Sequence, residues 1–223
     1  MTVDLGSVPR EEISSSVGTI SRPRGRFYVF EGIDGSGKTA VSRMLFERLP
    51  HESQREVILT AEPTDCWLGD QVRRSFSEDV STFTEALLFL ADRAAHTESI
   101  RRWLDHGIIV LCDRYNASTL AYQGSILRHQ AGEEAMEWLK QVSRFVITQP
   151  DITFLFSVDP EVALRRLDGR DERTKFERLG FLRQVDGVYR ELVTEEPEML
   201  VIDASKPIEE VAEEVLNAIK ADL

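Results

Sequence analysis

The chain alternates between short apolar runs and longer segments with apolar residues at helical spacing. The apolar runs predict five buried strands, at 27–30, 56–60, 108–111, 152–158 and 199–202. The helical spacing predicts helices at 38–49, 82–104, 132–147 and 208–219, the first of them ending at Pro50, and a further apolar helix face from Phe176 to Leu192. Strands that alternate with helices indicate a doubly wound parallel sheet. The expected fold is therefore α/β, with a five-stranded parallel sheet in three α/β/α layers.

Two segments depart from this pattern. The first 25 residues carry several serines and the acidic residues Asp4, Glu11 and Glu12, without an apolar stretch. We expect a flexible extension there, followed by a single domain over 26–223. The segment 165–177 is crowded with charge and poor in apolar residues, so a short mobile lid is expected rather than core.

The net charge of −12 narrows the range of partners. Such a surface should repel nucleic-acid polymers and anionic membranes, so neither is expected as a partner. No apolar run approaches the ~20 residues of a membrane span, and the cytoplasm is the expected location. A small phosphorylated substrate remains compatible, because a few arginines in one cleft outweigh a distant acidic surface. The two cysteines and four histidines show neither a disulfide framework nor zinc-binding spacing.

A glycine-rich segment between the first strand and the first helix fits the pattern G-x-x-x-x-G-K-[ST]. Its glycines allow a tight turn whose N–H groups surround a phosphate, at the positive end of the following helix. Lys38 would bridge the β- and γ-phosphates of ATP, and Thr39 would ligate Mg²⁺. A chance match in a glycine-rich turn is the alternative. The expected ATP-binding residues of this P-loop NTPase fold are Gly32, Ile33, Asp34, Gly35, Ser36, Gly37, Lys38 and Thr39.

Four segments, in order, resemble the thymidylate kinase family. They are FEGIDGSGKT at 30–39, EPT at 62–64, LLFLADR at 87–93 and DRY with its continuation AYQG at 113–124. The resemblance implies phosphorylation of dTMP to dTDP with Mg²⁺ and ATP, by a homodimer. The family often has an arginine before the Glu-Pro segment and paired glycines after it. Here Ala61 and Thr64-Asp65 stand at those places, which leaves the role of Glu62 open.

The resemblance also implies an acceptor pocket for dTMP. Phe89 would stack on the thymine ring, and Arg93 would donate to a base carbonyl. Arg114 would hold the phosphate through its fork of donors. Tyr122 would lie against the sugar, and Asp34 would accept from the 3′-hydroxyl. The expected substrate-binding residues are Asp34, Glu62, Phe89, Arg93, Arg114, Ser118, Thr119, Tyr122 and Gln123.

Each of these residues has a plainer structural alternative. Phe89 alone is compatible with a core aromatic residue on an amphipathic helix, and Tyr122 with simple packing. Asp92 and Arg93 are compatible with an exposed charge pair. Asp113, which ends an apolar strand, suits either a contact to Mg²⁺ or a turn cap. Their position near the carboxyl ends of the predicted strands, where open α/β sheets bind ligands, favours the functional interpretation.

Four arginines lie between 165 and 173, and a solvated helix face is the usual explanation of such a run. The alternative is a lid that brings positive charge to the transferring phosphoryl group. No basic residue lies between Gly32 and Lys38, so the chain resembles the family branch whose lid supplies this charge. Arg170 and Arg173 are therefore expected to be catalytic, together with Lys38 and Arg114. The loop 203–207 resembles an adenine-contacting loop, although a plain strand-to-helix turn would look the same.

Two other functions remain open at this point. One is another nucleoside or nucleotide kinase on the same scaffold, which needs a general base if its acceptor is a hydroxyl. The other is a P-loop regulatory NTPase whose nucleotide cycle switches a partner. Neither is distinguished from the first by the phosphate loop alone.

Overall fold

Five parallel strands form the sheet in the computed structural model, which describes residues 24–167, 178–196 and 198–223. They are β1 (Arg26–Glu31), β2 (Val57–Ala61), β3 (Ile109–Asp113), β4 (Ile152–Ser157) and β5 (Met199–Asp203). Their spatial order is β2-β3-β1-β4-β5. The chain passes from β1 to the edge strand β2, returns to β3 between them, and then crosses to β4 and β5 on the other side of β1. The carboxyl ends of β1 and β3 are therefore adjacent, where ligands of open α/β sheets bind. The expected α/β fold with a five-stranded parallel sheet is confirmed.

Eight helices cover the sheet within the described residues. They are α1 (Lys38–Ser53), α2 (Trp67–Ser75), α3 (Thr82–Asp105), α4 (Asn116–Ala131), α5 (Glu133–Ser143), α6 (Pro160–Leu167), α7 (Leu179–Glu195) and α8 (Ile208–Asp222). Across these described ranges, no helix has both the length and the apolar character that a membrane crossing needs.

The alternation of side chains along β1 explains the layers. Phe27 and Val29 point to one face, where they pack in a cluster with Ile100 of α3. Tyr28 and Phe30 point to the other face, into the larger cluster that also holds the apolar side of α1. Because β1 is buried on both faces, its residues form a continuous apolar run rather than an alternating one.

The prediction that the first helix ends at Pro50 is wrong. Helix α1 continues to Ser53, with Pro50 in its last turn. Its buried residues Leu45 and Leu49 anchor the helix just before this position. The helix ends at Gln54, which has a left-handed φ of 55° and donates its N–H to the Pro50 carbonyl at 3.2 Å. A proline this late in a helix costs few backbone hydrogen bonds, so packing decides where the helix ends.

The hydrophobic pattern did not predict helix α4. Every residue from Ala117 to Ser125 is buried, so polar and apolar positions do not alternate along it. The helix predicted at 132–147 is real but shorter, because α5 ends at Ser143. Helix α4 places the segment 116–125 directly beside the carboxyl ends of β1 and β3.

Candidate active site

The phosphate loop lies between β1 and α1, as its motif requires. Gly35 and Gly37 have left-handed φ angles of 82° and 94°. A Cβ atom at Gly35 would lie 2.2 Å from the Ala163 carbonyl oxygen, so only glycine fits there. A Cβ atom at Gly37 would meet nothing within 4 Å, so the space in front of the first turn of α1 is open. The Ala40 N–H donates to the Gly37 carbonyl at 3.1 Å, whereas the N–H groups of Lys38 and Thr39 have no acceptor among the described residues and are available to an anion.

Lys38 is buried at the base of this loop. Its Nζ donates to the Ile33 carbonyl oxygen at 3.1 Å. Burial, helped by the positive charge of Arg114, lowers the pKa of Lys38 to about 8, although Asp34 and Asp113 act in the opposite direction. A polyphosphate in the loop would offer this ammonium group a stronger partner than a carbonyl oxygen.

Thr39 and Asp113 lie together on one side of the loop. The Thr39 hydroxyl donates to Oδ2 of Asp113. Oδ1 of Asp113 is buried and has no hydrogen-bond partner among the described residues. A cavity of about 220 Å³ adjoins both side chains. Hydroxyl and carboxylate oxygens are the ligands that Mg²⁺ prefers, so these residues fit the metal that the phosphate-loop motif implies.

A second cavity, of about 180 Å³, lies against the phosphate loop and between α3 and α4. It brings together every residue that the sequence assigned to the dTMP pocket. These are Asp34, Glu62, Phe89, Arg93, Arg114, Ser118, Thr119, Tyr122 and Gln123. Arg93 is 1% exposed, which rules out the alternative of a surface charge pair.

Arg93 is held by one of its nitrogens only. The NH2 atom donates to Oε2 of Glu62 at 2.6 Å, to the Tyr115 carbonyl at 2.9 Å and to the Thr119 hydroxyl at 2.8 Å. Its Nε and NH1 atoms are buried and have no partner among the described residues. Buried donors without partners are costly, so a ligand carbonyl in the cavity would complete this group.

Glu62 anchors Arg93 from a buried position. Its second oxygen, Oε1, lies 2.9 Å from Nδ1 of His96, whose Nε2 lies 2.8 Å from the Thr60 hydroxyl. Both carboxylate oxygens are thus occupied by protein groups. In this arrangement Glu62 orients Arg93, at the border of the cavity, and the departures at Ala61 and Thr64 leave that contact intact.

Arg114 connects the acceptor cavity to the phosphate loop. Its NH2 atom lies 2.6 Å from Oδ1 of Asp34, and its NH1 atom donates to the Gly32 carbonyl at 3.3 Å and to the Ser118 hydroxyl at 3.1 Å. The Tyr122 hydroxyl donates to Oδ2 of Asp34 at 2.8 Å and accepts from the Asp34 N–H at 3.0 Å. Donor loop and acceptor cavity therefore form one connected site.

The charges of this site are mutually compensated. Burial opposes ionisation of Asp34, but the positive charges of Arg114 and Lys38 outweigh it and lower the pKa of Asp34. Burial likewise opposes the charge of Arg114, and the surrounding Tyr122 and Asp34 raise its pKa well above the ordinary value. Asp34 is thus a carboxylate and Arg114 a guanidinium cation throughout the neutral range.

Sequence reasoning missed four residues at this site. Pro63, Phe76 and Tyr115 also line the acceptor cavity, and the rings of Phe76 and Phe89 lie 6.2 Å apart at 33°. Glu31 is fully buried at the end of β1, where its Oε1 accepts from the N–H groups of Tyr115 at 2.9 Å and Ser118 at 3.1 Å. A charged residue that ends a fully apolar strand was the available signal for Glu31. Phe76 follows α2, which the pattern did not predict.

The far side of the phosphate loop opens into a third cavity, of about 480 Å³. Gly37 borders it on one side, and Ser205, Lys206 and Pro207 of the loop after β5 border it on the other. Arg166, in the last turn of α6, donates from NH1 to the Ala204 carbonyl at 2.9 Å and also lines it. The loop 203–207 therefore lies where the resemblance expects an adenine contact.

Most of the expected lid is beyond what the structure describes. Residues 165–167 are the end of α6, whereas 168–177, with Arg170 and Arg173, lie outside the described residues. The same holds for 1–23 of the expected N-terminal extension.

Comparison with known proteins agrees with this geometry. The family model described as thymidylate kinase matches residues 30–215. A probable thymidylate kinase of Methanococcoides burtonii is 40% identical over 198 residues, covering 88% of this chain and 96% of that protein. The probable thymidylate kinase of Pyrococcus horikoshii is 38% identical over 209 residues, covering 90% and 98%. That of Methanocaldococcus jannaschii is 39% identical over 197 residues, covering 87% and 95%.

Proposed function

The chain belongs to the thymidylate kinase family, and we propose that its connected cleft transfers the γ-phosphoryl group of ATP to dTMP, giving ADP and dTDP. The observation that carries this proposal is the contact of Asp34, in the phosphate loop, with both Arg114 and Tyr122 of the acceptor cavity. This contact supports an arrangement in which the two substrates meet end to end. Family membership favours this function over another kinase activity and over a regulatory NTPase.

On the donor side, the phosphate loop and the N-terminus of α1 would hold the phosphates of ATP, with Lys38 between the β- and γ-phosphates. Thr39 and Asp113 would hold Mg²⁺, which neutralises phosphate charge when bound. The adenine would occupy the large cavity beside Arg166 and the loop 203–207.

On the acceptor side, Phe89 would stack against the thymine, and the unpartnered nitrogens of Arg93 would donate to a base carbonyl. Arg114 would bind the acceptor phosphate. Tyr122, fixed against Asp34, would border the sugar, and Asp34 would accept from its 3′-hydroxyl. Ser118, Thr119 and Gln123 supply the remaining polar contacts.

The chemistry needs no covalent intermediate and no general base. A phosphate oxygen of dTMP, already anionic, forms the new bond to the γ-phosphorus, while the bond from that phosphorus to the bridging oxygen of ADP breaks. Catalysis then consists of holding both groups in line and of stabilising the charge that spreads over the transferring group. Lys38 and Arg114 would supply positive charge within the described site, and we propose Arg170 and Arg173 as the lid residues that complete it.

A homodimer and a cytoplasmic location stay predictions from the sequence. Phe83 and Leu87 of α3, which are 40% and 51% exposed, are candidates for part of the dimer surface. Light scattering on the purified chain measures its mass in solution.

The experiment that tests the function is a binding and turnover assay with the purified chain. We expect dTMP to bind at micromolar concentration. In the presence of Mg²⁺ and ATP, the chain should release one ADP for each dTDP formed. ATP hydrolysis that is independent of any monophosphate would favour a regulatory NTPase. Phosphorylation of thymidine but not of dTMP would favour a nucleoside kinase.

A further inference from the structure

Helices α3 and α4 face each other across the acceptor cavity and carry a ladder of polar contacts. Glu85, Phe89 and Arg93 are spaced four residues apart on α3, and Thr119 and Gln123 are spaced four apart on α4, so each set shares one helix face. Arg93 contacts Thr119 at 2.8 Å, and Nε2 of Gln123 donates to Oε1 of Glu85 at 3.2 Å. Phe89 lies on α3 between the residues that make these two contacts.

The contact to Glu85 decides which way the Gln123 amide faces. Glu85 is 2% exposed and Gln123 is 1% exposed, so water does not compete for this bond. Glu85 lies in the first turn of α3. The Nε2 atom of Gln123 donates to its Oε1 atom, so the NH₂ group of the amide faces Glu85. The amide oxygen of Gln123 is then the atom left for the cavity that Gln123 lines.

The cavity consequently offers both donors and an acceptor to a ligand. The donors are the unpartnered nitrogens of Arg93, and the acceptor is the oxygen of Gln123. Thymine and uracil present the matching pattern, a carbonyl at C4 beside an N–H at N3. Cytosine presents the opposite pattern, an amino group at C4 beside a bare N3 acceptor.

We propose that Glu85 is a positioning residue that sets the base selectivity of the site. It does not line the cavity itself, and it acts by fixing the Gln123 amide so that the pocket accepts pyrimidines protonated at N3 and rejects cytosine. This inference rests on the proposed function, because it takes dTMP as the acceptor. It adds a residue whose effect is on selectivity rather than on turnover alone.

The test compares dTMP with dCMP in the Glu85→Gln variant. A glutamine at position 85 both donates and accepts, so the Gln123 amide can turn and present its NH₂ group to the cavity. We expect the ratio of kcat/KM for dTMP to kcat/KM for dCMP to fall about three- to tenfold, with the KM for ATP unchanged. Glu98→Gln is the matched control, since Glu98 is exposed on the same helix and receives the same substitution. It should leave the ratio unchanged.

A double-variant cycle separates positioning from a general structural effect. In the Gln123→Ala background, Glu85→Gln should produce no further change in the ratio, because the amide through which it acts is gone. Glu85→Met removes the acceptor without adding a polar group and should also lower the ratio in the wild-type background. If a melting curve shows that Glu85→Gln does not fold, Glu85→Met provides the test instead.

The outcomes distinguish this inference from the proposed function. If the wild-type chain does not phosphorylate dTMP, the proposed function fails. If the wild-type chain does so and the Glu85 variants keep its full preference for dTMP over dCMP, only the role of Glu85 is overturned. An equal fall of the ratio in the wild-type and Gln123→Ala backgrounds would also overturn it.

Discussion

Arg114 and Asp34 form an ion pair in which the NH2 nitrogen lies 2.6 Å from Oδ1. The pair joins the residue after β3 to the phosphate loop, and both side chains are largely buried, at 19% and 27% exposed. The guanidinium group also reaches the Ser118 hydroxyl, so its plane is fixed before a substrate binds. An arginine held in this way loses less conformational entropy when it binds a phosphate.

Replacing Arg114 by alanine should damage the acceptor side far more than the donor side. A charge-assisted bond to phosphate is worth about 1.5–3 kcal/mol, and Arg114 offers two such donors. We expect a loss of at least 100-fold in kcat/KM for dTMP, with ATP affinity within a few-fold. Arg102→Ala, on the exposed end of α3, is the control. A collapse of ATP binding with intact dTMP binding would show that Arg114 is misassigned.

Asp34→Asn should change how stability depends on pH. The pKa of Asp34 is lower in the folded protein than its ordinary value of 3.8. Its ionised carboxylate therefore stabilises the folded state fully above pH 3.8, and this stabilisation is lost as the pH falls through the pKa of the folded protein. We expect the variant to be about 1–3 kcal/mol less stable than the wild type at pH 7. This gap should shrink in urea unfolding as the pH falls below about 4. The exposed Asp79→Asn should show no such gap, and a gap independent of pH would contradict the account.

The proposed Mg²⁺ contacts predict a change in metal requirement. Asp113→Asn retains an acceptor for Thr39 but removes the negative charge next to the site. The Mg²⁺ concentration for half-maximal activity should rise about 10- to 100-fold. Asp105→Asn, at the end of α3, serves as the control. An unchanged Mg²⁺ requirement would make Asp113 a turn cap, the alternative that the sequence left open.

Much of this site follows from the sequence because it is built at strand ends. All five strands were predicted to within a residue or two, since an apolar run such as that of β1 is long enough to mark a buried strand. Parallel strands bring their carboxyl ends to one edge, so Lys38, Asp113 and Arg114 had to lie close together. The motifs then placed the remaining cavity residues on the flanking helices.

The rest depends on contacts between elements, which periodicity does not encode. Helix α4 is buried all round, so the rule that relies on one polar face missed it. Phe76 enters the cavity only because α2 directs it against Phe89. The bonds from Glu62 to His96 and from Gln123 to Glu85 join residues far apart in the chain, and no spacing within one helix reveals such partners.

The arginine-rich segment after α6 predicts a large kinetic effect. No basic residue lies between Gly32 and Lys38, so another positive charge must meet the transition state of phosphoryl transfer. We expect the double variant Arg170→Ala/Arg173→Ala to lose about 10³–10⁵ in kcat. A solvated helix face would instead cost under about 1 kcal/mol of stability and leave kcat near normal. Arg183→Ala, exposed on α7 and paired with Glu161, is the control for charge removal nearby.

A panel of acceptors assayed for ATP-dependent diphosphate formation tests the proposed dTMP kinase activity most directly. The cavity around Phe89, Arg93 and Tyr122 predicts that dTMP is the best acceptor. Loss of one methyl contact is worth about 1–3 kcal/mol, so dUMP should be weakened rather than rejected, whereas AMP, CMP and GMP should be very poor. Turnover of AMP or GMP at a rate equal to that of dTMP would show that the cavity is not a thymidylate site.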